Sequence, residues 1–467
     1  MTDISLYDTT LRDGTQAEGI AFSVDDKLRV AEKLAALGVH YLEGGWPGSN
    51  PTSREFFQRV KRLNLKCMRV AAFGSTRKLK ERCEKDAQVQ ALLAARTPVV
   101  TIVGKSWDLH VREALRAPLE GNLAMIADTV SFLKRHGREV VYDAEHFFDA
   151  YKNNRDYALA TLAAAHEQGA DWLVLCETNG GALPHEVAAV TRAVRQAFPR
   201  ARLGIHCHND AGCAVANSLA AVAEGVTQVQ GTVNGYGERT GNANLITIIP
   251  NLVLKMGCQV IQKAQLKRLT EVSRSVAELA NQVPDDRAPF VGASSFAHKA
   301  GLHVSAILRN TRTYEHLDPS LVGNRRRVLV TDQSGRSNIA YKIEELGLKI
   351  NPDAPELGEV LKEIKQLENS GYEFESAEAS LVLLLRRALG RIPSYFSHVT
   401  WRILSERIAE ESFVLAMVKV QVGRHEEHAV AEGDGPVNAL DLAFRKAMTP
   451  FYPELQKLHL VDYKVRV

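Results

Sequence analysis

A chain of 467 residues is too long for one ordinary core and calls for two or three domains. Its 45% hydrophobic and 24% charged residues are the balance of a globular protein, and a net charge of only +3 argues against a nucleic-acid or membrane surface. Six scattered cysteines without a CxxC pair, no apolar stretch long enough to span a bilayer and no signal peptide together predict reduced thiols and a cytoplasmic protein.

Along the first two-thirds, short apolar runs alternate with amphipathic stretches. Strands are expected over 5–8, 40–43, 67–72, 99–103, 140–144, 172–176, 202–208 and 228–233. Helices are expected between them, among others over 23–37, 53–63, 122–136, 155–168, 184–198 and 217–224. Ser23 offers an N-cap ahead of Asp25 and Asp26, and Gly38 closes the same helix. Eight β-then-α units in a row predict an α/β fold, a (β/α)8 TIM barrel over 1–265. A doubly wound open sheet is the runner-up, but the glycine fingerprint it would carry after its first strand is missing.

Beyond the barrel, residues 266–390 read as linker subdomains. They comprise a helix over 266–281, a Gly/His/Asn/Arg-rich segment over 290–338, and helices over 338–346 and 354–368. Residues 391–467 read as a small α+β regulatory domain, expected to be incomplete. It has strands over 401–405, 413–422 and 427–432, a helix over 437–448 and a strand over 458–467.

In a barrel of this kind the chemistry sits where strands end. The first strand ends in Arg12-Asp13, the second in Glu43, the fifth in Tyr142-Asp143-Ala144-Glu145, the sixth in Glu177-Thr178, and the seventh in His206-Cys207-His208. Residues i and i+2 of a strand share a face, so His206 and His208 can reach one cation. Asp13 at the same rim completes two imidazoles and a carboxylate, a set that leaves positions open for substrate oxygens. Read structurally, HxH is a hydrogen-bonded pair, Arg12-Asp13 a local salt bridge and Glu145 a helix cap. Gly235, Gly237 and Gly241 form a tight turn that lets Asn242 and Asn244 approach the site.

The segments LYDTTLRDGTQ, IHCHNDAGCAVANSLAAV and NGYGERTGNANL resemble the signatures of the acyltransferase/metallolyase barrel superfamily. LEGGWPGSNPTSREFF, AAFGSTRK, VVYDAEHFFDAYKNN, SSFAHKAGLHVSAI and RTYEHLDPSLVGN look like its citramalate synthase branch, and the resemblance runs through essentially the whole chain. It implies a Claisen-type condensation of acetyl-CoA with a 2-oxoacid, pyruvate, that feeds isoleucine biosynthesis. It further implies a divalent metal (Mg, Mn, Co or Zn) on Asp13, His206 and His208 with Asn242 close by. Arg12 would lie against the keto oxygen, Thr178 would hold the substrate carboxylate and Tyr142 would help close a small methyl pocket with Phe73 and Val103. Glu145 would pair for acid–base work with His303 from the other subunit of a homodimer. Glu177 stands where the family often has Asp, which bears on the placement of Thr178. The resemblance also leads to the expectation that the shortened regulatory domain weakens isoleucine feedback. The alternatives are an isopropylmalate or homocitrate synthase, a metal-dependent lyase, or a non-enzymatic amino-acid sensor. Neither a nucleic-acid nor a membrane partner is expected.

Overall fold

The computed structural model describes residues 2–65, 68–331, 334–347, 351, 355–372, 374, 377–388, 392–408 and 411–461. It divides into two compact units, Met1–Val328 and Leu329–Val467.

The first unit is built on eight parallel strands closed into a barrel. These are β1 (Ser5–Asp8), β2 (Tyr41–Glu43), β3 (Arg69–Ser75), β4 (Val99–Lys105), β5 (Glu139–Glu145), β6 (Trp172–Glu177), β7 (Leu203–Cys207) and β8 (Gln228–Gly231). Each expected strand is present, shifted at its ends by a few residues; of the third, Cys67 lies outside the described residues. The strands are buried on both faces, so they read as continuous apolar runs. Tyr7, Val141, Trp172 and Val174 pack with one another inside the barrel, whereas their neighbours Leu6, Tyr142, Leu173 and Leu175 pack with the surrounding helices. At the N-terminal end Glu139 accepts hydrogen bonds from Tyr41 Oη at 2.8 Å and Trp172 Nε1 at 3.2 Å.

The first barrel helix shows why the pattern was readable. Ser23 and Asp26 form a reciprocal capping box at the start of Val24–Leu37, and Gly38 ends the helix in the left-handed region at φ 94°. A further helix, Gly301–Arg309, lies in the segment whose sequence shows little periodicity.

In the second unit the helices Arg336–Glu345, Glu356–Asn369 and Glu378–Ala388 share a core that includes Ile339, Val360, Ile364 and Leu385. The last of these helices was not expected. The strands Ser397–Ile408, Glu411–Val422 and His425–Gly433 form an antiparallel sheet. Every second residue of the middle strand, Val414 to Val422, is buried, and the helix Pro436–Met448 packs against that face through Ala439 and Ala443. The strand expected over 458–467 does not form over 458–461, and its remainder lies outside the described residues. Among the described residues no helix is long and apolar enough to cross a membrane.

Candidate active site at the C-terminal mouth of the barrel

A cavity of about 360 Å³ opens where the strands end. Arg12, Asp13, Glu145, Thr178, His206 and His208 all line it. His206, near the end of β7, and His208, just beyond it, point the same way because they stand two positions apart. Their Nε2 atoms are 3.3 Å apart, and Asp13 Oδ2 lies 3.2 Å from His206 Nε2 and 3.9 Å from His208 Nε2. All three residues are buried, and among the described residues Asp13 Oδ2 has no hydrogen-bond partner. His206 Nδ1 meets Gln230 Oε1 at 3.0 Å, which places the proton on Nδ1 and leaves Nε2 a lone-pair donor. Gln230 in turn donates to Asp143 Oδ1 at 3.2 Å.

Convergent donors of this kind, two imidazole nitrogens and an unpartnered carboxylate oxygen, fit a divalent cation, and the three residues form a cluster able to hold one. Asn242 is anchored beside them by a backbone bridge to His208. Its Nδ2 donates to Tyr236 O at 3.1 Å, while its buried Oδ1 has no partner among the described residues. The turn that presents it depends on glycine at 241, where φ is 95° and a Cβ would sit 2.0 Å from Gly235 O.

The electrostatics follow from burial and pairing. Burial opposes the charge on Asp13, but Arg12 and the two histidines outweigh it and hold the carboxyl below its usual range. Burial opposes the Arg12 charge too, yet Asp13 and Glu43 raise its pKa. His208 is pushed down to about 4, by burial first and by His206 second, so its ring is neutral at pH 7. His206 is held up by Asp13 against burial. Asp143, beneath the cluster, is pushed up to about 7 by burial and by Glu43.

Arg12 is fixed on three sides. Nε donates to Glu43 Oε2 at 2.6 Å, Nη1 lies 3.3 Å from Asp13 Oδ1, and the guanidinium stacks 3.9 Å above the Phe73 ring. The hydrogen bond to Glu43 and the local contact with Asp13 thus coexist. Glu43 is itself held by Tyr7 Oη at 3.0 Å. Thr178 Oγ1 accepts from His146 N at 2.9 Å, so its own hydroxyl proton is free to donate into the cavity. Glu177 turns away from the cavity and accepts from Gly181 N at 3.2 Å.

Other expected residues sit elsewhere. Tyr142 does not line the cavity. Its neighbours Val141 and Asp143 face the barrel axis, so the alternation of β5 sends Tyr142 into the helix layer, against Gly104 and 3.5 Å from Ser106 Oγ. Phe73 and Val103 do line the cavity, and with Trp46 and Leu115 they supply its apolar wall. Tyr142→Phe is therefore expected to leave kcat/KM within about threefold of wild type, because only a long, weak hydrogen bond is lost; steady-state kinetics check it. Glu145 does not cap the next helix, whose N-cap is His146; it pairs with Lys105 instead. His303, on the helix Gly301–Arg309, is exposed and stacks 4.1 Å from the Tyr314 ring; within one chain it does not line the cavity. His298 pairs with Glu315 at 3.1 Å, a structural contact that Arg326 shares. Lys105 was missed, although the alternation that puts Val103 inside the barrel puts Lys105 there too.

Residues 3–276 match the HMGL-like family, 290–372 the homocitrate synthase post-HMGL domain-like family and 375–467 the LeuA allosteric (dimerisation) domain. A curated (R)-citramalate synthase from Geobacter sulfurreducens is 55% identical, with 100% of this chain and 89% of that protein covered. One from Aquifex aeolicus is 53% identical over 99% and 88%. This chain belongs to the (R)-citramalate synthase family of HMGL-like proteins. A 2-isopropylmalate synthase from Sulfolobus acidocaldarius is more distant, at 36% identity over 82% of this chain and 95% of that one. Among solved structures, an HMG-CoA lyase from Bacillus subtilis superposes with a TM-score of 0.52 at 19% identity, covering 60% of this chain and 95% of its own, which shows a shared barrel fold.

Proposed function

We propose that this protein is an acyltransferase that condenses acetyl-CoA with pyruvate, water then cleaving the thioester, to give citramalate and CoA. The observation that carries this reading is the convergence of Asp13, His206 and His208 beside an immobilised Arg12, in the mouth of a barrel whose relatives at 53–55% identity are (R)-citramalate synthases. Asp13, His206 and His208 would hold a divalent cation, with Asn242 beside them; Mg, Mn, Co and Zn all suit this donor set. Such an ion supplies Lewis acidity toward a 2-oxoacid.

The chain's own residues then divide the work. Arg12, which cannot swing away from Glu43 and Phe73, stabilises the alkoxide that grows on the keto oxygen. Thr178 donates its hydroxyl to the substrate carboxylate. The wall of Trp46, Phe73, Val103 and Leu115 takes the pyruvate methyl and crowds longer oxoacids. One methylene is worth only about 1–3 kcal/mol in such a pocket, so discrimination is finite. Glu145 takes a proton from the acetyl methyl, and His303 comes from a second copy of the chain. In this reading residues 1–265 carry the catalytic barrel, 266–390 are linker subdomains that contribute to the active site and 391–467 form the regulatory domain.

Following CoA release with pyruvate, 2-oxobutyrate, 2-oxoisovalerate and 2-oxoglutarate in parallel tests the substrate. Pyruvate is expected to lead; a preference for 2-oxoisovalerate would move the chain to isopropylmalate chemistry. Shared sites make a second prediction. Glu145→Gln and His303→Ala chains are each expected to be nearly inactive alone. Mixed, they should recover about a quarter of wild-type activity, because about half the dimers are hybrids with one intact site each. Initial rates of the co-refolded or co-expressed mixture measure this.

A further inference from the structure

Glu145 has a partner that the reading above leaves unused. Lys105 and Glu145 are the last residues of β4 and β5 and stand opposite one another in the parallel register. With Val103 and Asp143 they face the barrel axis, and both line the cavity. Their backbones are fixed: Asn122 Nδ2 donates to Lys105 O at 2.7 Å, and Ser106 N donates to Glu145 O at 3.3 Å. Lys105 Nζ contacts Glu145 Oε2, and the two side chains stay 27% and 23% exposed. The sheet itself therefore sets an ammonium against this carboxylate at the cavity wall.

Three cationic side chains line the cavity among the described residues: Arg12, Lys105 and Arg239. Arg12 is engaged by Glu43 and Asp13, and Arg239 by Asp210 at 2.8 Å and by Thr178 O at 2.8 Å. Among the described residues Lys105 is engaged by Glu145 alone, and an ammonium carries three N–H donors. The condensation creates two oxyanions in turn, one on the thioester oxygen as the acetyl group is enolised and one on the ketone oxygen as the new C–C bond forms. Arg12 sits with the metal-type cluster that would meet the ketone.

We propose that Lys105 is a catalytic residue that holds the Glu145 carboxylate and donates a hydrogen bond to the acetyl-CoA thioester oxygen as the enolate forms. The inference rests on the proposed condensation and on Glu145 as its base. Glu145 takes a methyl proton, the C–H electron pair becomes the C=C bond of the enolate, and the carbonyl π pair moves onto the thioester oxygen. Glu145 becomes neutral in that step while the oxygen becomes negative, so the Lys105 ammonium exchanges one anionic partner for another without moving far. When the enolate carbon attacks the pyruvate ketone, the thioester carbonyl re-forms and its charge passes to the ketone oxygen.

The test is the steady-state kinetics of Lys105→Met and Lys105→Arg, with acetyl-CoA carrying either a normal or a trideuterated methyl group. Lys105→Met is expected to lower kcat by about 10²–10³-fold with the pyruvate KM changed by less than about threefold. The deuterium isotope effect on kcat should rise in that variant, because enolisation becomes rate-limiting. Lys105→Arg, which keeps the charge, should regain at least about tenfold of the loss. In a Glu145→Gln background Lys105→Met should cost a further factor, since the donor acts on the oxygen as well as on the carboxylate. A Lys105→Met protein with near-normal kcat and an unchanged isotope effect would overturn the proposal while leaving the condensation standing. So would equal rates for Glu145→Gln and the double variant. A wild-type protein that releases CoA with no oxoacid would overturn both.

Discussion

Replacing Asp13 with Asn is expected to lower kcat/KM by roughly 10³-fold or more, since a Lewis acid contributes several kcal/mol to charge stabilisation at a carbonyl. The substitution keeps the shape of the side chain and removes its charge. Asp13 Oδ2 is the anionic member of the cluster, 3.2 Å from His206 Nε2, and burial leaves no water-like partner to replace it. A neutral amide there is a poor ligand and cannot offset the charge of the ion. Divalent-cation binding, measured by equilibrium dialysis with Mn or Zn, should weaken in parallel with activity. Arg12 stays anchored by Glu43 in this variant, so the cavity keeps its shape.

Arg12→Met should be nearly as damaging, and for two separable reasons. In the proposed reaction the guanidinium serves as a preorganised oxyanion donor, and losing one typically costs about 10²–10³ in kcat. Its removal also strands Glu43, which is fully buried and whose pKa burial already raises. Breaking a buried pair from one side costs about 3–5 kcal/mol, so thermal unfolding should drop as well. Arg12→Lys will not rescue, because one ammonium cannot serve Glu43, face Asp13 and stack on Phe73 together. Denaturant midpoints and initial rates, compared for both variants, separate the two losses. A Glu43→Gln companion change should recover stability without recovering rate.

Why these residues could be found in the sequence is a matter of periodicity. A parallel barrel buries each strand on both faces, so its strands appear as short apolar runs at regular intervals, and each polar residue at the end of a run stands at the rim. That rule picks out Arg12, Asp13, Thr178, His206 and His208, which the fold gathers from β1, β6 and β7 into one cavity. The same alternation also exposes the weak point. Tyr142 stands one residue from both Val141 and Asp143, so a parity count along β5 sends it outward; resemblance alone had placed it in the pocket. Lys105 was passed over because its run, Val99–Lys105, continues two residues beyond the apolar part, and a lysine at a strand end reads as solvated. The helix Gly301–Arg309 was hidden by a flanking Gly/His/Asn/Arg-rich stretch, with only Val304 and Ile307 buried on it. A helix with so small a buried face leaves little period to read.

The cation is the centre of this account, and one titration tests it most directly. The protein is stripped with a chelator, dialysed, and assayed for CoA release from acetyl-CoA and pyruvate while Mg, Mn, Co or Zn is added back and binding is followed on the same samples. Activity should vanish on stripping and return in step with one ion bound per chain, and in the Asp13→Asn protein neither should return. Full activity in the stripped wild-type protein would contradict the assignment of Asp13, His206 and His208 as a metal site.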